Sequence, residues 1–240
     1  MEIEEEDLPE SVATGHLYPP LSKYPFSNSV INILQAITSE DLPLFEKASQ
    51  KITDWNFKDP SGISFIHHAA QCKDPLFLSR IIENGATIKV IDSQGCTPLH
   101  YAALANNSEC IKILVKHCPE LLDFAGEEGL TSLFTAVQYK AYDAVHTLLR
   151  LGANPNCKII NDFTPLLWAI QSKNYHISMR LLAEDIDMDY YLRGGVSAIE
   201  IAIEMKQTQI LRRLIECGVN VNRKCRGYTP LHLAVENRFV

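Results

Sequence analysis

"GCTPLHYAA", Gly95–Ala103, is the stretch on which the fold turns. A threonine stands where its hydroxyl can meet the first unpaired N–H groups of a helix, and the proline after it takes the first helical position, where no N–H is needed. Leu99, Ala102 and Ala103 then give that helix a face of one large and two small side chains, which lets a neighbouring helix approach closely. The phrase returns as "DFTPLLWAI" at Asp162–Ile170 and as "GYTPLHLA" at Gly227–Ala234.

Anchored on Gly95, the equivalent residues are Gly62, Gly95, Gly129, Asp162, Gly195 and Gly227, spaced 33, 34, 33, 33 and 32 residues apart. A second pattern keeps the same phase. "RIIENGATIKV" (Arg80–Val90), "HTLLRLGANPN" (His146–Asn156) and "RRLIECGVNVN" (Arg212–Asn222) align Ile81, Leu148 and Leu214. Each holds an apolar doublet followed by a glycine able to end a helix in the left-handed conformation. Departures cluster: Phe134, Leu167 and Glu200 replace the histidine, Ser132 and Ala198 the proline, and Cys118 and Asp185 the helix-ending glycine. Between Gly126 and Asp189 the units are therefore expected to be less regular, each lost cap costing on the order of 1 kcal/mol.

A period of about 33 residues carrying Thr-Pro-Leu-His and two helical patterns resembles the ankyrin-repeat family. The resemblance covers roughly residues 28–240 and implies an all-α solenoid of stacked antiparallel helix pairs joined by β-turn or hairpin loops. It divides into a cap at 28–58, five full repeats at 59–91, 92–125, 126–158, 159–191 and 192–223, and a partial repeat at 224–240. The cap, "VINILQAITSEDLPLFEKASQKI" (Val30–Ile52), lacks the Gly-x-Thr-Pro turn and is expected to close the first full unit with a more polar outer surface. The last unit stops in its first helix, which would leave an apolar face in water, so a longer native chain is expected. Residues 1–27 lie outside the period and read as a flexible acidic tail containing Pro19, Pro20 and Pro25.

The composition agrees with a soluble globular chain: of 240 residues, 46% are hydrophobic and 21% charged. A formal charge of -7 with a pI near 5.6 argues against nucleic acid or an anionic membrane as main partner, because phosphate neutralisation needs clustered Lys and Arg. The acidic start is no secretory signal and no apolar run is long enough to span a bilayer, so membrane insertion is not expected and a cytoplasmic, or also nuclear, site is. Seven scattered cysteines without a Cys-x-x-Cys pair fit reduced thiols.

Reaction chemistry is hard to find in these letters. Ser64 and Ser197 resemble the start of a nucleophile elbow, but its second glycine is missing and both fall in the helix-capping phase. His67 and His68 are adjacent on a helix and point about 100° apart, unlike a metal-binding i, i+4 pair. "AGEEGL" (Ala125–Leu130) lacks the lysine and preceding strand of a phosphate-binding loop. No cofactor or metal is expected, and the chain is read as a non-enzyme and a monomer.

What the resemblance implies instead is recognition of a protein along a concave surface made by the turn tips and the exposed side of each first helix. Carried onto this sequence, the positions are Gln94, Glu127, Glu128, Gln138, Tyr139, Asn161, Phe163, Gln171, Arg193, Glu204, Arg226 and Tyr228. Tyr139, Phe163 and Tyr228 are the expected anchors, since aromatic side chains bring apolar area at little entropic cost. Asn156 and Asn222, each with a leucine eight residues earlier, resemble repeats modified by an asparaginyl hydroxylase; an Asn bonding its own turn is the plainer expectation. The function implied is a scaffold or adaptor that recruits substrates to a ubiquitin ligase or masks a signalling protein. The alternative is a regulatory segment of a larger enzyme or ion channel whose active part lies beyond residue 240.

Overall fold

The computed structural model describes residues 27–159, 161–188, 190–192 and 195–238. Apart from Ser27, the tail expected over residues 1–27 lies outside them. The chain divides into two units, Met1–Thr53 and Asp54–Val240. In the first, α1 (Asn28–Thr38) packs on α2 (Leu42–Ser49), with Ile33, Leu34, Ile37 and Phe45 buried. Their starts are set by Ser27 and Asp41, whose side chains accept the N–H groups of Val30 and Leu44.

The second unit is a run of helix pairs: α3 (Phe65–Gln71) with α4 (Leu76–Glu83), α5 (Pro98–Leu104) with α6 (Ser108–His117), α7 (Ser132–Gln138) with α8 (Tyr142–Arg150), α9 (Pro165–Gln171) with α10 (Tyr175–Leu181), α11 (Ala198–Glu204) with α12 (Thr208–Glu216), and then α13 (Pro230–Glu236). No strand occurs among the described residues, only isolated antiparallel bridges such as Lys58 with Ser64. Every first helix has seven residues, too short to persist in water alone. Stacking supplies the missing stability: α3, α5, α7, α9, α11 and α13 pack in succession, each on the next. The small residues that make this possible, Ala69, Ala102, Ala136, Ala169 and Ala202, are all 0% exposed. On the second helices Ile81, Leu148 and Leu214 are buried as expected, but the doublet partner of Leu214, Ile215, is 51% exposed.

Polar side chains tie each layer to the next. His67 and His100 accept the backbone N–H of Ser64 and Thr97 at Nδ1, and each cap hydroxyl lies 2.9 Å from that same nitrogen. The opposite nitrogen, Nε2, donates to a carbonyl of the following tip, Cys96 at 3.1 Å and Leu130 at 2.9 Å. The ring is thus a strut between repeats, and both carbonyl partners fix its proton on Nε2. Where the histidine is absent the hydroxyl caps the helix itself: Thr131 and Thr164 accept the N–H of Phe134 and Leu167 at 3.2 and 3.4 Å. The units between Gly126 and Asp189 therefore keep their helix caps while losing the strut. Glu200, at the histidine place of the fifth repeat, accepts from both the N–H and the hydroxyl of Ser197. From the other side, Asn107 donates to the carbonyl of Cys72, and Gln207, three repeats later, to that of Ile170.

The uneven spacings have local causes. Between Gly95 and Gly129 the chain adds a 3₁₀ turn, Pro119–Leu121, after a helix that lacks the usual closing glycine. The short step to Gly227 comes from a tip with only two central residues, Arg226 and Gly227, at φ 50° and 90°, closed by paired bonds between Cys225 and Tyr228. At the end of this unit Leu231 and Val235 are each 72% exposed, whereas their equivalents Leu99 and Ala103 are fully buried. Among the described residues no layer lies against that side of α13.

Candidate protein-binding surface

The tips between repeats are built by backbone pairing. In the first two, Asp59 and Asp92 each place Oδ1 against two N–H groups of their own turn, those of Ser61 and Ile63 and of Gln94 and Cys96. Asp92 also accepts the phenol of Tyr101 at 2.7 Å through Oδ2. Consecutive tips touch: Ser93 donates its N–H to the carbonyl of Ser61 at 2.8 Å, and a Cβ added to Gly95 would stand 2.8 Å from the nitrogen of Glu127. With the first-helix ends beside them, the tips form one continuous polar row along the second unit.

Of the positions named from the sequence, those among the described residues stand at tips or first-helix ends, with differing exposure. Gln94 is half-buried, and Glu127 and Glu128 are exposed, Glu128 at φ 57°. Gln138 and Gln171 are half-buried at the ends of α7 and α9, and Glu204 is exposed at the end of α11. Tyr139 follows α7 half-buried, and burial, then the nearby Cys96 thiol, pushes its phenol up to about 12. It therefore reaches back towards the tip of the preceding repeat. Asn161 is exposed; Asp162 stands in the glycine place at φ 63°. Phe163 is half-buried with its ring edge-on to Trp168 at 5.9 Å, so some of its surface is already spent on a neighbour. Arg226 is exposed, and Tyr228 is 51% exposed with its ring 6.3 Å from His232. Arg193 lies outside the described residues.

The two asparagines differ. Asn156 accepts the N–H of Asp187 at 3.0 Å and donates to the carbonyl of Asp185 at 2.9 Å, holding the next repeat's loop. Three repeats earlier, Asn56 accepts the N–H of Thr87 in the same manner. Asn222, at the end of the fifth full repeat, is exposed.

Three aromatic residues on the row escaped the sequence reading. Trp168 sits between Phe134 and Phe163, at 5.7 and 5.9 Å. Tyr190 donates its phenol to the carbonyl of Asp162 and lies under the ammonium of Lys158, 4.0 Å from the ring centre. Tyr191, 49% exposed, lies under the guanidinium of Arg223 at 3.5 Å. Their only signal was composition: the places of Tyr190 and Tyr191 hold Cys157 and Lys158 one repeat earlier and Arg223 and Lys224 one repeat later.

The groups with reactive potential are engaged in packing. Burial pushes the imidazoles of His67 and His68 down to about 4 and about 3 and lowers that of His100, which keeps them neutral. Burial raises the thiols of Cys96 and Cys110 to about 12 and that of Cys157 to about 11, far from thiolate formation at neutral pH. An open cleft between α6 and α8 is lined by Lys112, Asp143, His146 and Arg150. There Lys112 pairs with Glu109 at 2.7 Å, and Asp143 accepts from the amide of Asn106 at 3.1 Å.

These features meet in one family. The chain matches ankyrin repeats (3 copies) over residues 33–120, 66–159 and 166–240, and it belongs to the ankyrin-repeat family. Ankyrin-repeat domains are generally interaction modules that bind proteins, though some form segments of larger enzymes. The mouse B-cell lymphoma 3 protein homolog is 26% identical over 180 residues, covering 73% of this chain and 40% of the relative. Human ankyrin repeat and SOCS box protein 3 is 26% identical over 165 residues, covering 66% of this chain and 32% of the relative. The chain thus spans well under half the length of either. In structure it is similar to the human ASB11 ankyrin repeat domain, with a TM-score of 0.71 over 87% of this chain and 92% of the other; at 19% identity the likeness concerns the fold alone. No helix among the described residues is long and apolar enough to cross a membrane.

Proposed function

We propose that this chain is a non-catalytic adaptor or scaffold that takes a partner protein along the row of tips and first-helix ends, from Gln94 to Tyr228. The observation that carries the reading is the division of labour among side chains. His67, His100 and Asn156 are consumed in joining layers, while Glu127, Glu128, Asn161, Arg226 and Tyr228 extend outward from a rigid, repeating backbone. Pre-set exposed side chains on a stiff support lose little freedom on binding. Similarity to ankyrin repeat and SOCS box proteins supports the version in which the captured protein is handed to a ubiquitin ligase, and similarity to B-cell lymphoma 3 protein the version in which a signalling protein is masked. The chain acts as a monomer in the cytoplasm or nucleus, without a nucleic-acid partner or cofactor. Arg193 belongs to the same surface by position, and Asn156 and Asn222 are its candidate sites of hydroxylation.

The test is affinity capture from cells with the full chain, repeated with Tyr139→Ala plus Tyr228→Ala. Loss of the captured partner with unchanged circular dichroism supports the reading. Full retention by the double variant overturns the assignment of this surface.

A further inference from the structure

Two tips of the row carry exposed charges of opposite sign. The third tip offers Glu127 and Glu128, both exposed; the sixth offers Lys224 and Arg226, exposed, and the half-buried Arg223, and with the exposed Glu204 of the preceding first helix beside them that end stays net cationic. Neither glutamate, nor Lys224 or Arg226, takes part in an ion pair among the described residues. Between the two ends lie the aromatic residues Phe163, Tyr190 and Tyr191, and the intervening cation Lys158 is drawn over the ring of Tyr190. Successive tips meet from one end to the other, Gly129 against the carbonyl of Lys158, Tyr190 on the carbonyl of Asp162 and Gly195 against Cys225, so the acidic and basic ends belong to one surface.

From these placements we propose that the row binds an extended polypeptide segment whose charges are separated, cationic at one end and anionic at the other, with an apolar or aromatic middle. The inference rests on the tip row being the binding surface and adds the chemistry and register of what it takes. Packed helices stand 8–10 Å apart, so three repeat steps carry the row over about 25–30 Å. An extended chain advances about 3.3 Å per residue, which sets the two charged ends of the ligand about eight or nine residues apart. In that register the cationic end meets Glu127 and Glu128 and the anionic end meets Arg223, Lys224 and Arg226. An evenly acidic or evenly basic segment puts like charges together at one end, which opposes binding.

The experiment uses the whole chain and two fluorescein-labelled peptides of about 14 residues with identical composition. In one, lysines are gathered at one end and glutamates at the other around a Leu/Tyr/Ser middle; in the other the charges are interleaved. Anisotropy titration at low salt is expected to show the segregated peptide binding about tenfold more tightly, with the difference shrinking as salt screens it. The triple reversal Arg223→Glu, Lys224→Glu, Arg226→Glu is expected to move the preference to a third peptide with lysines at both ends. That gain of binding is an outcome a misfolded variant cannot give. Equal binding of segregated and interleaved peptides, no binding of either, or a triple reversal that leaves the preference unchanged overturns the charge order. If the peptides bind equally and Tyr139→Ala weakens both, the charge order falls while the tip-row surface stands. If they bind equally and Tyr139→Ala weakens neither, the surface falls as well.

Discussion

His100 of one repeat donates from Nε2 to the carbonyl of Leu130 in the next at 2.9 Å, while its other nitrogen receives the N–H of Thr97. One neutral ring thereby closes a helix start and fastens two layers in a fully buried place.

Replacing His100 with Ala leaves the N–H of Thr97 without its acceptor and takes one of two donors from the carbonyl of Leu130, which keeps the N–H of Gly126, and the expected loss is about 1–3 kcal/mol. His232 occupies the same place in the last layer, where its ring is exposed, bonds Thr229 and stands beside Tyr228, with no strut to a following tip among the described residues. His232→Ala is expected to cost below about 1 kcal/mol. Urea denaturation of the two variants measures the contrast; equal losses would show that the strut to the next repeat contributes nothing.

Acid should weaken the fold well before the carboxylates titrate. In the unfolded chain His67 and His68 bind protons as pH falls through 6.5, but in the folded chain burial holds them neutral to about 4 and about 3. Protons therefore favour the unfolded chain in that window. The contribution is intact above pH 6.5 and is lost progressively below it, at about 1.4 kcal/mol per pH unit for each ring held neutral. His68→Tyr, which installs the residue that Tyr101 provides one repeat later, is expected to flatten the fall in unfolding midpoint between pH 7 and pH 5. A parallel fall in variant and parent would refute the assignment.

Two glycines with similar backbone angles should respond differently to alanine. Gly95 and Gly85 stand at φ 72° and 87°, where any side chain meets about 1–2 kcal/mol of strain. At Gly85 the added carbon meets open space, while at Gly95 it lands 2.8 Å from the backbone of Glu127. Gly95→Ala is expected to lower the melting temperature clearly more than Gly85→Ala, because only there must one tip move away from the next.

Asn156→Ala removes both bonds that hold the Asp185–Asp187 loop and should cost about 1–2 kcal/mol. Asn222→Ala should change stability little, since that residue is exposed at the end of the fifth full repeat. Hydrogen exchange at Asp187 is the direct measurement, and undiminished protection in Asn156→Ala would count against the bond seen here.

Much of the architecture is encoded locally. The period anchored on Gly95, the cap residue Thr97, the paired alanines and the buried Ile81, Leu148 and Leu214 follow from spacing and residue type, because a helix start and a helix face are determined by neighbours within a few positions; the caps at Thr131 and Thr164 stand where weakened ones were expected. Exposure at the tips was legible only in part: Glu128 and Arg226, beside turn glycines, are exposed, while Gln94, also beside one, is half-buried. Trp168, Tyr190 and Tyr191 were not, since nothing nearby in the chain shows that Lys158 comes to rest over one ring and Arg223 over another.

The sequence by itself determined that this protein is a stack of helix pairs and which face of each first helix is buried in it. Only the tertiary structure decided what the histidines are for, which asparagine is occupied, and how the charges of separate turns line up in one row. Each of those depends on atoms about thirty residues or more apart being brought within hydrogen-bonding or Coulombic range, and that distance is set by how closely one layer settles on the next.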